Sequence, residues 1–169
     1  LYFANFNGPG QVVISGSRKA VRMACKAFKN EGAKKAVPLA ISGSFHTPYM
    51  DEAREELGDI IRATHFNKPA IPIYQCVDAL PHTDPEEIKD NLVQHITHPV
   101  LWTSMTYNMD KDGVTEFYEV GTDDTLEKIV QRMCPELKVQ SLLDVPQYSG
   151  KIKNYKVNFE IYDSINMDN

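Results

Sequence analysis

The sequence predicts an α/β fold. Short apolar and β-branched runs alternate with amphipathic stretches whose apolar residues recur at helical spacing. Gly, Pro, Asn and Asp separate these runs, and Ser or Thr stands just before several of the helical stretches as a capping residue. Strands and helices alternate along the chain, an order typical of βαβ crossovers in a parallel sheet.

The first 41 residues are predicted to form two strands, a helix and a third strand. Asn7-Gly8-Pro9-Gly10 supplies the turn between the first two strands, Ser17 caps the helix, and Gly32 ends it. This order resembles the back part of a ferredoxin-like βαββαβ unit, half of which we expect to lie before residue 1. The strands are expected at residues 1–6, 11–14 and 35–41, and the helix at 18–30.

The most informative stretch follows the third predicted strand. Ser42-Gly43-Ser44 is small and flexible, and Phe45 and His46 come next. Thr47 then provides the side-chain oxygen that a helix beginning at Pro48 needs. His46 is therefore predicted at a strand-to-helix corner, where α/β proteins place working residues. The alternative is a hydrogen-bonded loop histidine without a chemical role.

The rest of the chain is predicted to continue the alternation. The helix from Pro48 to about residue 65 is expected to bury Met50, Ala53, Leu57, Ile60 and Ile61, and Thr83 or Asp84 is expected to cap a helix at 85–95. Further strands are expected at 71–77 and 115–120, further helices at 100–109 and from 121–124 to about 133, a linker at 146–156 and an edge strand at 157–162.

Composition excludes several classes of protein. A hydrophobic content of 42% and a charged content of 24% are those of an ordinary globular domain, and no apolar run approaches the length of a membrane span. The net charge of −5 argues against a nucleic-acid partner. Cys25, Cys76 and Cys134 are odd in number and form no CxxC pair, which predicts reduced thiols and neither a disulfide framework nor a zinc site. Because the chain starts without Met inside a strand-like run, we expect a fragment or one piece of a split protein.

Several stretches together resemble the malonyl-CoA:acyl-carrier-protein transacylases and the related acyltransferase domains of polyketide synthases. Residues 5–16 resemble the family's Asn-x-Pro-Gly-Gln strand pair, and residues 32–39 with 44–50 resemble its histidine segment. Residues 99–103 and 117–121 are similar to two later landmarks. The landmarks occur in family order, so the chain resembles roughly the C-terminal half of the domain.

The resemblance implies an organisation in three parts. Residues 1–41 would be the back part of a ferredoxin-like small subdomain. Residues 42–145 would be the C-terminal part of an α/β-hydrolase-like large subdomain, and residues 146–169 a linker or edge-strand tail.

The resemblance also implies roles for two histidines. His46 would be the general base and then the general acid of acyl transfer, since imidazole exchanges protons near neutral pH. A backbone carbonyl at position 95 would orient it; the family usually carries Gln there, so His95 is a departure. A metal pair of His95 and His98 is one alternative, but no nearby Cys or paired acid completes a tetrahedral set. A structural polar role for His95 is the other, and the residues favour it over the metal pair.

Other positions are implied to contact substrate or partner. Phe45 resembles the residue of malonyl-selective members, because an aromatic wall leaves no room for an α-methyl group. Asn7 and Gln11 resemble substrate-binding residues of the cleft. Lys34 and Lys35 resemble residues that meet coenzyme A or an acidic carrier protein, although a solvated surface explains two exposed lysines equally well.

One expected element is missing. The family's nucleophile is a Ser in a Gly-x-Ser-x-Gly elbow, and no Ser of this chain has Gly at both positions −2 and +2. The resemblance implies part of a cytoplasmic malonyltransferase that acts on acyl carrier protein, uses malonyl-CoA as substrate and needs no cofactor or metal. This part would be inactive without the missing N-terminal half or a companion chain. A non-catalytic module that docks a carrier protein or complements a partner chain is the alternative.

Overall fold

The computed structural model describes residues 1–121 and 123–142. Within them, five α-helices and three two-stranded sheets confirm the α/β prediction. The predicted linker at 146–156 and edge strand at 157–162 lie outside the described residues. In the described part of the chain, no helix combines the length and the apolar character needed to cross a membrane.

An antiparallel hairpin opens the fold. Strand β1 (Tyr2–Gly8) pairs with β2 (Gln11–Ser15), and the pairing is irregular between Phe6 and Gly8. Gly10 closes the turn with a φ of +73°, a conformation that glycine adopts without strain. The two strands agree with the prediction, but β1 extends through Asn7 and Gly8, which were predicted to lie in the turn.

Helix α1 (Arg18–Asn30) has the predicted limits. Ser17 accepts a hydrogen bond from the backbone N–H of Ala20 (3.3 Å), as expected of an N-cap. Gly32 follows the last turn with a φ of +90°, and the N–H of Ala33 donates to the Phe28 carbonyl (2.9 Å). These are the bonds of a Schellman motif, which ends the helix at the predicted glycine.

The predicted third strand at 35–41 is wrong. No strand pairs with this segment in the described part of the chain, and Val37, Leu39 and Ile41 are about half exposed. The alternation of apolar residues resembles that of a strand, but a strand forms only where a neighbour supplies hydrogen bonds. The segment is therefore an irregular connection between α1 and the His46 corner.

The next helix begins where predicted but buries a different face. A 3-10 turn (Pro48–Met50) leads into α2 (Asp51–Ala63). The predicted buried stripe is wrong at Leu57 and Ile60, which are 44% and 63% exposed. Gly58 is the buried residue instead, and an added Cβ would lie 3.3 Å from Val93. Helix α2 thus approaches the following helix along the side that carries the glycine.

The predicted buried strand at 71–77 shrinks to two residues. Strand β3 (Ile73–Tyr74) pairs with the equally short β4 (Pro81–His82), and Ile71 is 74% exposed. Helix α3 (Pro85–His95) has the predicted limits, and Asp84 is its N-cap, accepting a hydrogen bond from Glu86 (2.8 Å).

The C-terminal elements form one βαβ unit. Helix α4 (Trp102–Lys111) precedes β5 (Glu116–Glu119), α5 (Thr125–Met133) and β6 (Lys138–Ser141). Strands β5 and β6 are parallel, as the alternating pattern predicts, although β6 itself was not predicted. The core cluster beneath them consists of Val130, Cys134 and Leu137, with Trp102, Phe117, Met133 and Val139 packed against it.

The connection from α3 to α4 joins the hairpin to the rest of the molecule. Val100 donates to the Ala4 carbonyl (2.8 Å) and accepts from Phe6 (2.9 Å), so this segment lies beside β1 in parallel. Leu101 donates to the Cys76 carbonyl (2.9 Å) on its other side. These bonds fix the segment that carries residues 96–99 next to His46.

Candidate active site

The backbone at His46 has an unusual conformation. Its φ is +60°, in the left-handed region that non-glycine residues rarely adopt. The N–H of His46 donates to the carbonyl of Ile96 (3.2 Å), just after helix α3. Strained conformations of this kind persist only where the surroundings hold them, and they cluster at functional sites.

Thr47 and Ser44 hold the corner in place. The Thr47 hydroxyl donates to the Ser44 carbonyl (2.6 Å) and accepts from the N–H of Tyr49 (3.3 Å). It therefore bonds to the backbone on both sides of His46. Thr47 is only 1% exposed. The Ser44 hydroxyl donates to the carbonyl of Gly16 (3.3 Å), which ties the corner to the end of β2.

The imidazole of His46 is oriented by a backbone carbonyl. Its Nδ1 lies 2.9 Å from the carbonyl oxygen of His95, the last residue of α3. Because a carbonyl only accepts, Nδ1 must carry the proton of this bond. The neutral ring then has an unprotonated Nε2, which has no hydrogen-bond partner in the described part of the chain.

The His95 side chain is a second imidazole beside the first. The two ring centroids are 5.0 Å apart with planes inclined at 36°. Burial lowers the pKa of His95, and the neighbouring His46 lowers it further. The Nε2 atom of His95 is buried without a hydrogen-bond partner among the described residues. His95 is therefore a neutral packing group at neutral pH.

A metal site at His95 and His98 would need further ligands, and the described residues offer no third ligand beside these two histidines. Within the described residues, the group of Asp110, Cys134 and Glu136 alone has the spacing of metal ligands, and it contains neither histidine. Burial also raises the pKa of Cys134, which disfavours the thiolate that a metal needs.

An open cleft of about 550 Å³ lies beside His46. Its lining includes aromatic side chains of β1 and residues at the start of α2. Two of these lining residues, Asp51 and Arg54, make an ion pair (3.1 Å) with each other. Among the described residues, the lining consists of Tyr2, Phe3, Phe6, His46, Pro48, Asp51, Arg54, Thr97, His98 and Pro99.

Comparisons with known proteins give consistent results, although no protein-family model matches the chain. It is 37% identical over 146 residues to a malonyl-CoA:acyl-carrier-protein transacylase of Haemophilus influenzae, covering 86% of this chain and 47% of that protein. It is 38% identical over 138 residues to the Escherichia coli protein of the same name, covering 82% and 45%. The chain is a relative of the malonyl-CoA:acyl-carrier-protein transacylases. It matches their C-terminal part and spans about half the length of these curated relatives.

Solved structures of such transacylases have the same fold. An acyl-carrier-protein S-malonyltransferase from Vibrio cholerae superposes with a TM-score of 0.79 at 37% identity, covering 83% of this chain and 46% of that one. A malonyl-transacylase in complex with a type II polyketide synthase acyl-carrier protein superposes with a TM-score of 0.82 at 32% identity, covering 90% and 49%.

The predicted transacylase residues are only partly brought together. His46 lines the cleft, and the carbonyl of His95 contacts it. Phe45 precedes His46 but is 46% exposed. Its ring packs against Gly43, so closely that a Cβ added to that glycine would lie 3.0 Å from the ring atoms. Asn7 is half-buried at the irregular end of β1, outside the cleft lining.

The remaining predicted residues lie away from the cleft lining. Gln11 accepts a hydrogen bond from Arg132 (2.7 Å), which links the hairpin to α5. Lys34 and Lys35 are exposed after α1. The roles of these residues stay predictions.

Arg54 is a charged cleft residue that the sequence did not lead us to predict. It brings a cation into the cleft lining, which the aromatic side chains of β1 share. A signal was available, because Asp51 and Arg54 are three residues apart at the start of the helix that follows His46. The acidic residues beside them make the stretch resemble a solvated helix face.

Proposed function

We propose that this chain is the histidine-bearing part of a malonyl-CoA:acyl-carrier-protein transacylase. The observation that carries the proposal is the bond from His46 Nδ1 to the His95 carbonyl, which leaves Nε2 as a free base beside an open cleft. The comparisons support the same assignment for this part of the protein.

The proposed reaction has two half-reactions. In the first, Nε2 of His46 takes the proton of a Ser hydroxyl while the Ser oxygen attacks the thioester carbonyl of malonyl-CoA. The C–S bond breaks, and His46 returns the proton to the departing thiolate. In the second, Nε2 deprotonates the phosphopantetheine thiol of the carrier protein. The sulfur attacks the carbonyl carbon of the malonyl ester, the C–O bond to Ser breaks, and His46 gives the proton to the departing Ser oxygen.

The nucleophilic Ser is proposed to come from an N-terminal half or a companion chain, since no Gly-x-Ser-x-Gly sequence occurs in these 169 residues. In this assembly, residues 1–41 would belong to a ferredoxin-like subdomain and residues 42–145 to an α/β-hydrolase-like one. A cytoplasmic location is part of the same proposal.

Phe45 is proposed to select malonyl over methylmalonyl. Its bulk directly before His46 would exclude an α-methyl group, a discrimination worth about 1–3 kcal/mol. Asn7 and Gln11 are proposed to bind the acyl or pantetheine part of the substrate. Lys34 and Lys35 are proposed to meet the carrier protein or the phosphates of coenzyme A, as their exposure permits.

A non-catalytic role is the second candidate. The lack of a Gly-x-Ser-x-Gly sequence favours it, because a chain without a nucleophile can still dock a carrier protein or complement a partner. It predicts carrier binding without malonyl transfer.

A chimera distinguishes the two. The chain replaces the matching C-terminal part of the Escherichia coli transacylase, and intact-mass spectrometry follows incubation with malonyl-CoA and methylmalonyl-CoA in competition. We expect a malonyl adduct that forms in preference to the methylmalonyl adduct. A chimera that unfolds cooperatively, and is therefore folded, but acquires no adduct would contradict the catalytic proposal.

A further inference from the structure

Helix α1 carries a continuous cationic stripe. Successive residues of a helix are about 100° apart, so the five cations of α1 lie within an arc of about 100°. The stripe extends for about 17 Å along the helix axis, at 1.5 Å per residue. Its members are Arg18, Lys19, Arg22, Lys26 and Lys29.

All five stripe residues are exposed, and none forms an ion pair within the described part of the chain. This arrangement opposes helix stability. Arg18, Arg22 and Lys26 repel one another at i,i+4 spacing. The first turn of α1 contains no acidic residue, so Arg18 and Lys19 also face the positive end of the helix dipole. A bound polyanion would remove both penalties.

The stripe stands out against the rest of the protein. Residues 18–35 hold seven of the 18 Lys and Arg but one of the 23 Asp and Glu, a net charge of +6. Because the whole chain carries −5, the other residues together carry −11. In the sequence, the stripe is followed by the exposed Lys34 and Lys35, which lie in the connection that leads to His46. It is therefore a local positive surface on an acidic protein.

We propose that the cationic face of α1 is the docking surface for the carboxylate-rich face of an acidic carrier protein. The inference rests on the proposed function for the identity of this partner and extends its contact from Lys34 and Lys35 to the whole helix. Charge complementarity of this kind raises the association rate and fixes the orientation of the partner.

The surroundings favour a compact acidic protein over other polyanions. Nucleic acid or an anionic membrane is an extended surface, and the −11 carried by the other residues would repel it. Single-stranded nucleic acid also needs aromatic stacking platforms. The stripe has none, since Phe28 lies on the opposite, apolar side of the helix.

The test removes two charges from the centre of the stripe. We would measure the Kd of the full chain for an acidic acyl carrier protein at low ionic strength, before and after the double substitution Arg22→Gln and Lys26→Gln. Gln has a helix propensity close to those of Lys and Arg, so α1 should persist. Two lost surface charge pairs should weaken binding about tenfold.

A matched control removes two exposed cations elsewhere, Lys68→Gln and Lys138→Gln. It should bind as the unmodified chain does, and the stripe variant should melt at the same temperature or higher, because like-charge repulsion is relieved. Equal losses in the two variants would overturn the proposal, and so would tighter binding to anionic vesicles or duplex DNA than to the carrier protein. Stripe-dependent binding without malonyl transfer by the chimera would support the docking surface and reject the catalytic proposal.

Discussion

The His46 corner depends on one buried hydroxyl. Thr47 donates to the Ser44 carbonyl and accepts from Tyr49, and it is almost fully buried. It thereby maintains the left-handed backbone that directs the imidazole toward α3. The sequence predicts Thr47 as a helix cap, but its bond back to Ser44 depends on a three-dimensional turn that no local pattern specifies.

Replacing Thr47 with Val tests this hydroxyl. Val keeps the shape and leaves the Ser44 carbonyl without its partner, so the free energy of unfolding should fall by about 1–3 kcal/mol. Thr47→Ser should retain most of the stability. Thr64→Val is the matched control, because the Thr64 hydroxyl makes a similar bond to Ile60 in an exposed position. Equal effects at the two sites in denaturant unfolding would contradict a special role for Thr47.

The backbone and the side chain of His95 have different roles. Its carbonyl orients His46, whereas its ring is held neutral by burial. The folded protein therefore binds a proton on this ring less readily than the unfolded chain does. Stability should decline as pH falls from the ordinary histidine pKa of about 6.5 toward the lower pKa of the folded state.

The substitution His95→Gln should remove that loss while keeping the carbonyl contact. The free energy of unfolding should then fall less between about pH 7 and pH 5 than in the unmodified chain. His65→Gln, at an exposed ring that contacts Asn67, is the control. If His95→Gln leaves the acid sensitivity unchanged, the neutral packing role is wrong.

At the scale of elements, helices were predicted better than strands. Helices α1 and α3 have the predicted limits because local hydrogen bonds set them. Ser17 and Asp84 cap the N-termini of α1 and α3, and the turn at Gly32 ends α1. The segments at 35–41 and 71–77 carry strand-like apolar patterns, but a strand also needs a neighbour distant in sequence. Within the described residues, no strand pairs with 35–41, and the strand beside 71–77 has only two residues. The apolar pattern alone therefore predicted too much strand.

The start of α3 carries a pH-sensitive polar network. His82 contacts Asp78 (2.8 Å) and Glu87 (3.3 Å) through its two ring nitrogens, and Asn91 bridges to Asp78 (3.1 Å). Burial alone would lower the pKa of His82, but hydrogen bonds to Glu87 and Asp78 outweigh it, and the pKa is raised. The protonated ring holds α3 to the preceding turn.

Because the folded pKa of His82 is raised, its stabilising effect is fully present below the ordinary value of about 6.5 and is lost as pH rises through the folded value. His82→Gln should therefore reduce the free energy of unfolding more at about pH 6 than at about pH 9. Denaturant unfolding at the two pH values measures the difference. A loss that is the same at both would show that His82 acts only by packing.

At the scale of the whole molecule, the site is a surface and not an enclosed pocket. His46 lies beside an open cleft, and a cationic stripe lies on α1. The sequence predicts His46 and the cations Lys34 and Lys35, but the stripe on α1 was not predicted. The sequence also does not reveal that Arg54 and the aromatic side chains of β1 share the cleft, since that depends on how the α3–α4 connection pairs with the hairpin.

The central claim is that His46 moves the proton in malonyl transfer. It is tested by the rate at which the chimera transfers malonyl from coenzyme A to carrier protein, with His46→Ala compared against His65→Ala. General acid–base catalysis predicts a loss of about 10²- to 10⁴-fold for His46→Ala and a normal rate for the control. A near-normal rate for His46→Ala would contradict the claim.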